Sequence, residues 1–477
     1  MIVTKERFKS DRRRFDGWRV RLNPRQGIPT PAVAGTRVIV GGGFGSHDVW
    51  ALDAETGRVT WHLRTKDDGP TAAVVVDDVA LFNTESCTLM AVDVATGTVR
   101  WEQWLGDPLL AQPAAADGRV LMVFPRERSH WLGAFDLRTG ARMWETQLGH
   151  DVITAPVVAN GRVYVATYDG AVSCFDLIGG DLSWTSAMQA TSAPWVSGDI
   201  VHVAQRNVSA AQDPSRWRRT NRRSTPSPRR PQERTVAVSG GDGIPLSAFA
   251  WKSAEYLRPD WGAGRKSGFA AHDASVGFSQ APAAAGVDRI RELVGEAHVS
   301  RAWRFQGSRP AVMDRIAFEA TGDGLEARAL DSGRLIWSWA DARTEEGERR
   351  LTPPAVSNAR VLVGTWDGRV VSLDAGTGQV RWAVGTGAPC HWQPVMANGR
   401  VFAGLEDGSV VSFETGDTDD DGWPMWGGGP GHNGSESPVL RKSVRIDRSP
   451  EKTSDLETTG MSEREEDHAR YRNPRLF

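Results

Sequence analysis

The run Asp417-Thr418-Asp419-Asp420-Asp421-Gly422 sets three carboxylates, Asp417, Asp419 and Asp421, on alternate positions ahead of a glycine. That spacing is the first half of a calcium-binding loop: alternate side chains turn towards one hard cation and the glycine permits the sharp bend. The twelfth position of such a loop is Gly428, so its bidentate Glu is missing, although the Trp423 carbonyl is placed to contribute. Ca²⁺ is one expectation for this run and an acidic turn the other. Cys390-His391 puts a thiol beside a base, but neighbours on a strand point to opposite faces, so no catalytic residue is assigned. A third group, in residues 207–234, holds Arg216, Arg218, Arg219, Arg222, Arg223, Arg229 and Arg230 with Pro226, Pro228 and Pro231. Charge with proline argues against a packed core, so this stretch reads as a mobile basic insertion. Its functional reading is contact with the phosphates of nucleic acid or another anionic surface; a solvated loop is the alternative.

Composition narrows what could position these groups. The chain has 477 residues with 57 Lys+Arg and 59 Asp+Glu, a net charge of −2. That balance excludes a globally basic nucleic-acid binder and an acidic solvating chain. No apolar run approaches the ~20 residues of a membrane helix. Three cysteines, Cys87, Cys174 and Cys390, stand far apart, which excludes a disulfide scaffold and a cysteine zinc site. Twenty Trp and 51 Gly against 4 Tyr call for a repeat.

A glycine is followed four residues later by Trp at Gly57/Trp61, Gly97/Trp101, Gly140/Trp144, Gly180/Trp184, Gly333/Trp337 and Gly378/Trp382. Ala51-Leu-Asp-Ala-Glu-Thr-Gly-Arg-Val-Thr-Trp61 shows the longer form, A-x-D-x-x-T-G-x-x-x-W. Asn160-Gly161, Asn398-Gly399 and Asp117-Gly118 are two-residue hairpin signals, because both positions accept a positive φ. Alternating β-branched runs such as Arg162-Val-Tyr-Val-Ala-Thr167 lie between the turns. Second strands starting at Arg37, Val79, Arg119, Arg162, Asp199, Arg315, Arg360 and Arg400 count eight units. Four short strands at a period near 40 spell an all-β, eight-bladed β-propeller. The last unit lacks its GxxxW strand, and Phe15-Asp-Gly-Trp18-Arg-Val20 supplies one from the N-terminus, closing the ring.

The repeated unit resembles the tryptophan-docking motif of the pyrroloquinoline-quinone (PQQ) propeller superfamily, over roughly residues 15 to 435. The resemblance implies that Trp18, Trp61, Trp101, Trp144, Trp184, Trp337 and Trp382 are structural, each wedged against a neighbouring blade. One branch of that superfamily is quinoprotein dehydrogenases, which bind PQQ and Ca²⁺ on the axis. The other is non-enzymatic, like the BamB-type scaffold of outer-membrane β-barrel assembly. The alcohol dehydrogenases of the first branch usually carry a vicinal cysteine pair; this chain has none, and its inner strands are mostly Ala, Val and Pro.

The expected domain plan is a flexible N-terminus (1–14), the propeller (15–434) and a disordered charged tail (435–477). Within the propeller, residues 207–234 form the basic insertion, and residues 252–301 an ordered insertion with a short helix near 283–294. The Trp/Gly-rich segment from Trp423 to Gly434 is expected to pack on the closing blade. Residues 1–14 are polar and basic with neither an apolar stretch nor a lipobox, so a cytoplasmic location is expected. The functional expectation is a non-enzymatic scaffold holding protein partners on a propeller face. The alternatives are a PQQ-dependent dehydrogenase with a divergent axial site and an Arg-loop binder of an anionic polymer.

Overall fold

The computed structural model describes residues 2–11, 13–22, 27–43, 45–106, 111–127, 129–190, 192–207, 232–246, 309–321, 324–330, 332–340 and 351–434. Residues 208–231, 247–308 and 435–477 lie outside them. The Arg-rich stretch, the expected short helix and the expected disordered tail therefore fall on residues not described. The ring lies within the compact unit Met1–Arg445. No helix among the described residues is long and apolar enough to cross a membrane.

The molecule is an eight-bladed β-propeller. Blade 1 runs outward through Ala32–Ala34, Arg37–Gly41, Asp48–Asp53 and Val59–Arg64. Blades 2, 3 and 4 repeat it from inner strands Val74–Val76, Ala114–Ala116 and Val157–Ala159. Blades 5, 6 and 7 start at Trp195–Ser197, Ala311–Met313 and Ala355–Ser357. Blade 8 has Val395–Ala397, Arg400–Gly404 and Ser409–Glu414, then Arg14–Arg21 from the other end of the chain. Asn398 closes the ring by donating Nδ2–H to Gly35 O of blade 1, 2.9 Å away.

One expectation needs correcting. Val3–Lys9, assigned to a flexible N-terminus, is a strand paired residue for residue with Arg14–Arg21. Blade 8 thus has five strands. Phe8 anchors the addition: it is buried, with its ring 5.5 Å from that of Phe413.

The repeat motif has a local explanation. Asp53 Oδ1 accepts the Thr56 N–H (2.8 Å) and hydroxyl (2.6 Å), which closes the turn before Gly57. Gly57 has φ 71°, and a Cβ there would sit 2.5 Å from the Trp18 ring of the preceding blade. The glycine is therefore required twice, for its backbone angle and for the space. The Trp18 indole then donates to Ala54 O at 3.0 Å. The same joint recurs as Trp61 to Val94 O, Trp101 to Leu137 O, Trp144 to Leu177 O, Trp184 to Gly240 O and Trp337 to Ala375 O, all at 2.9–3.1 Å. Trp382 instead packs against Phe15 and Phe413, at 5.4 and 5.5 Å between centroids. In blade 5 the residue four beyond Gly243 is Ser247, so the GxxxW pattern is broken there.

The third residue of each second strand faces the blade core. Blades 4, 6 and 8 place Tyr164, Phe318 and Phe402 there; blade 5 places His202. His202 is buried, and neither ring nitrogen has a hydrogen-bond partner among the described residues. Burial pushes its pKa down to about 4. Between about pH 6.5 and pH 4 the unfolded chain then takes up a proton that the folded one refuses, so stability falls with pH.

Two outcomes follow from this packing. Trp101→Ala is expected to lose about 3–5 kcal/mol in urea denaturation, the range for deleting a buried Trp. His202→Phe, which copies blades 6 and 8, is expected to flatten the acid limb of the stability curve. Its gain should be about 1–2 kcal/mol at pH 5, read from urea midpoints at pH 7 and pH 5.

Candidate functional site

The axis is the place where all blades converge. The chain leaves the last strand of blade 8 at Glu414 and turns in beneath the ring. The segment 423–434 then fills the centre. It is rich in Gly and Pro, whose small side chains suit a channel lined by backbone. Five inner strands give their equivalent, second-residue N–H to it. Met396 N–H goes to Trp423 O, Val33 to Pro424 O, Ala115 to Pro430 O and Val158 to Gly431 O, at 2.7–2.9 Å. Val196 N–H reaches Asn433 Oδ1 at 2.7 Å, and Asn433 Nδ2 donates back to Val196 O at 2.9 Å. The expectation that this segment packs on the closing blade covers only the Met396 contact. Its wider reach follows from the free N–H that each inner strand turns to the axis.

Three polar side chains hold this plug. Gln393 Oε1 accepts Gly427 N–H at 2.9 Å while its Nε2 donates to Pro354 O at 2.9 Å. His432 is fully buried, with Nε2 2.8 Å from Pro113 O and Nδ1 3.1 Å from Trp426 O. Burial pushes its pKa down to about 4 although the two carbonyls pull the other way. Arg309 donates from Nε and Nη2 to Pro194 O at 2.9 and 2.7 Å, and from Nη2 to His432 O. Its guanidinium lies 4.9 and 5.1 Å from the ring centroids of Trp195 and Trp426. Trp195 in turn stacks on Trp423 at 5.8 Å. Burial lowers the Arg309 pKa to about 9. A guanidinium tolerates this place because carbonyl oxygens and ring faces replace its water. Sequence reasoning passed over Arg309 and Gln393. Their signal is positional: each directly precedes the proline that leads into an inner strand.

The acidic run lies at the plug's entrance. Asp417 Oδ2 accepts from Arg360 Nη2 at 2.7 Å and from Asn358 Nδ2 at 3.2 Å. Asp421 Oδ1 accepts Gly422 N–H at 2.8 Å and Asn398 N–H at 3.3 Å, and the Asp417 Oδ1 accepts Asp419 N–H at 3.1 Å. The buried carboxylate is Asp420, outside the alternate pattern: its Oδ1 lies 2.8 Å from Arg360 Nε and accepts Asn358 Nδ2–H at 2.8 Å. Among the described residues no three His, Cys, Asp or Glu side chains are grouped to hold a metal ion.

Cys390 and His391 have separate partners. The Cys390 thiol is buried, donates to Trp392 O at 3.3 Å, and is pushed up to about 12 by burial. The His391 Nε2 lies 2.9 Å from Glu406 Oε2, with its ring edge-on to Trp366. A thiol held protonated in this way is a poor nucleophile. A PQQ site of the alcohol dehydrogenase kind does not match this donor set: the cysteines are not adjacent, and all three are buried.

The outer surface carries the other candidates. Trp104, at the end of the blade 2 outer strand, is 70% exposed. Met143, Ile178, Leu182 and Ile244 are also exposed, on blades 3 to 5. Exposed Trp is a frequent anchor of protein interfaces.

A family model described as outer membrane protein assembly factor BamB matches residues 13–225 and 321–429. A curated relative, outer membrane protein assembly factor BamB of Xanthomonas campestris pv. campestris, is 27% identical over 133 residues, 24% of this chain. That match spans 32% of the relative's length, about a third. Among solved structures, BamB from Moraxella catarrhalis is similar with a TM-score of 0.54 at 17% identity, over 87% of this chain and 98% of that one. Quinohemoprotein alcohol dehydrogenase from Comamonas testosteroni is similar with a TM-score of 0.52 at 13% identity, over 84% and 76%. At such identities the structural likeness speaks for the ring fold alone.

Removing the Arg360 charge tests the plug's entrance. Arg360→Met strands the buried Asp420 carboxylate and is expected to cost about 3–5 kcal/mol in chemical denaturation. Asp419→Ala, at an exposed carboxylate, is expected to cost under about 0.5 kcal/mol.

Proposed function

The chain belongs to the outer membrane protein assembly factor BamB family of PQQ-like propellers, and we propose that it works as a non-enzymatic scaffold binding protein partners on its blade surfaces. The observation that supports this most is the axial plug. Five inner strands commit their axis-facing N–H groups to the chain's own segment 423–434. The centre at that level is dedicated to holding the ring together, and binding is left to the periphery. A rigid ring suits such work, since its surface pays little ordering entropy when a partner docks. Trp104 and the apolar residues of blades 3 to 5 are the contacts a partner would bury first.

Two measurements test the reading. The full chain incubated with PQQ and Ca²⁺ is expected to show no bound quinone spectrum and no dye reduction. Observing both would overturn the scaffold reading in favour of a dehydrogenase. A photoreactive residue placed at position 104 is expected to give a discrete adduct with another protein in the native cell.

A further inference from the structure

Among the described residues, the outermost strand of a four-stranded blade has no further strand paired to its outer edge. Proteins protect such edges with charged side chains. Outer strands here follow that rule in blades 1, 2, 3 and 7, through Arg64, Arg100 with Glu102, Arg142 with Glu145, and Arg381. The strand Val3–Lys9 protects blade 8 with Lys5, Glu6, Arg7 and Lys9. Blade 4 breaks the rule. Its outer strand Leu182–Ala187 reads LSWTSA, with no charge at all. Blade 6 has a second uncharged edge, Leu335–Ala340, but only Leu335 is strongly exposed among its large apolar residues.

Blade 4 adds a second, independent feature. Leu182, which opens this strand, and Ile178, in the turn that leads into it, are 55% and 58% exposed. Ile178 stands where blades 1 and 3 carry Glu55 and Arg138. The neighbouring blades 3 and 5 expose Met143 and Ile244, 48% and 59%. Met143 adjoins Trp144, whose ring packs on Gly180 of blade 4, and Ile244 follows Gly243, which packs on Trp184. Two exposed carboxylates, Asp176 and Asp181, lie in the turn that leads into this edge strand, with Arg162 on the second strand as the register partner of Asp176. No Lys or Arg occurs between Arg162 and Arg206, whereas Asp169, Asp176, Asp181 and Asp199 do. The edge is also stiff, because Trp184 bonds to Gly240 O at 2.9 Å and Thr185 shares a 2.9 Å hydrogen bond with Ser173.

We propose that the outer edge of blade 4, Leu182–Ala187 with Ile178, is a strand-addition site for an extended segment of a partner protein that alternates apolar and basic residues. The inference rests on the scaffold reading and names where and how a partner would bind. Main-chain hydrogen bonds to the free edge give affinity, as in other β-augmentation complexes. The apolar residues of the segment cover Ile178 and Leu182, and its Lys or Arg side chains meet Asp176 and Asp181.

The probe is a fluorescein-labelled octapeptide alternating lysine and valine, followed by polarisation with the full chain. Saturable binding is expected, weakened at least ~10-fold by Thr185→Lys, which puts a charge where blades 2 and 3 carry Glu102 and Glu145. Leu182→Ser should weaken it too, and Glu102→Lys on blade 2 should not. Equal binding by all variants overturns the proposal, as does no binding. In the native cell, a photoreactive residue at 185 should crosslink to one basic, alternating segment of another protein. Crosslinks to residues 208–231 or 247–308 of this chain, or to a second copy, overturn it. Partner adducts from position 104 without any from 185 sink this inference alone; silence at both positions removes the scaffold reading as well.

Discussion

The ring depends on one contact repeated around it: an indole wedged against a glycine that has no room for a Cβ. Each half of the contact constrains the other. The glycine's positive φ closes the turn whose carbonyl, three residues earlier, accepts the indole N–H, and the missing side chain lets the ring approach the backbone. A large apolar surface is buried and the single polar atom is satisfied in the same step. Because a blade that receives one Trp supplies another to the next, with the joint from blade 5 to blade 6 the exception among the described residues, the contact works as a chain of couplings. Seven blades cannot pack well unless the eighth returns to the first.

The axis is solved by different means. Inner strands are short and small, and their middle residues turn an N–H towards the centre that no neighbouring strand can take. An irregular segment rich in Gly and Pro brings carbonyls to those donors in turn. The cost of burying Arg309 beneath it is offset by three hydrogen bonds to carbonyls and two aromatic faces. A single guanidinium thereby joins blade 5, blade 6 and the plug.

What could be read from the sequence was whatever is local. Asn160-Gly161 makes its hairpin whatever the rest of the ring does, and Asp53, Thr56, Gly57 and Trp61 carry their roles in their spacing. The closing strand around Trp18 was legible because it completes an interrupted pattern. Val3–Lys9 was not, since VTKERFK shows a charged edge and hides a single core residue, Phe8. The acidic run shows the same limit. Alternation drew attention to Asp417, Asp419 and Asp421, but burial selected Asp420, whose partner Arg360 lies on another blade. The plug was read as a segment of one blade because its partners are backbone groups, which all residues share. Arg309 and Gln393 stand alone in the sequence and acquire a role only when eight strands converge.

Blade 8 is assembled from both sides of the ring, residues 3–21 and 395–414, and the plug follows only after them. Translation makes the first of these long before the second. At ~5–20 residues per second, the early strands wait roughly 20–80 s for their partners. Throughout that interval the nascent protein is an open arc, with Phe8, Phe15 and Trp18 lacking their finished pockets. Its aggregation hazard is therefore concentrated before chain completion. Once the latch is shut, the same arrangement becomes a kinetic lock, because opening the ring means stripping out the longest-range pairing in the chain first.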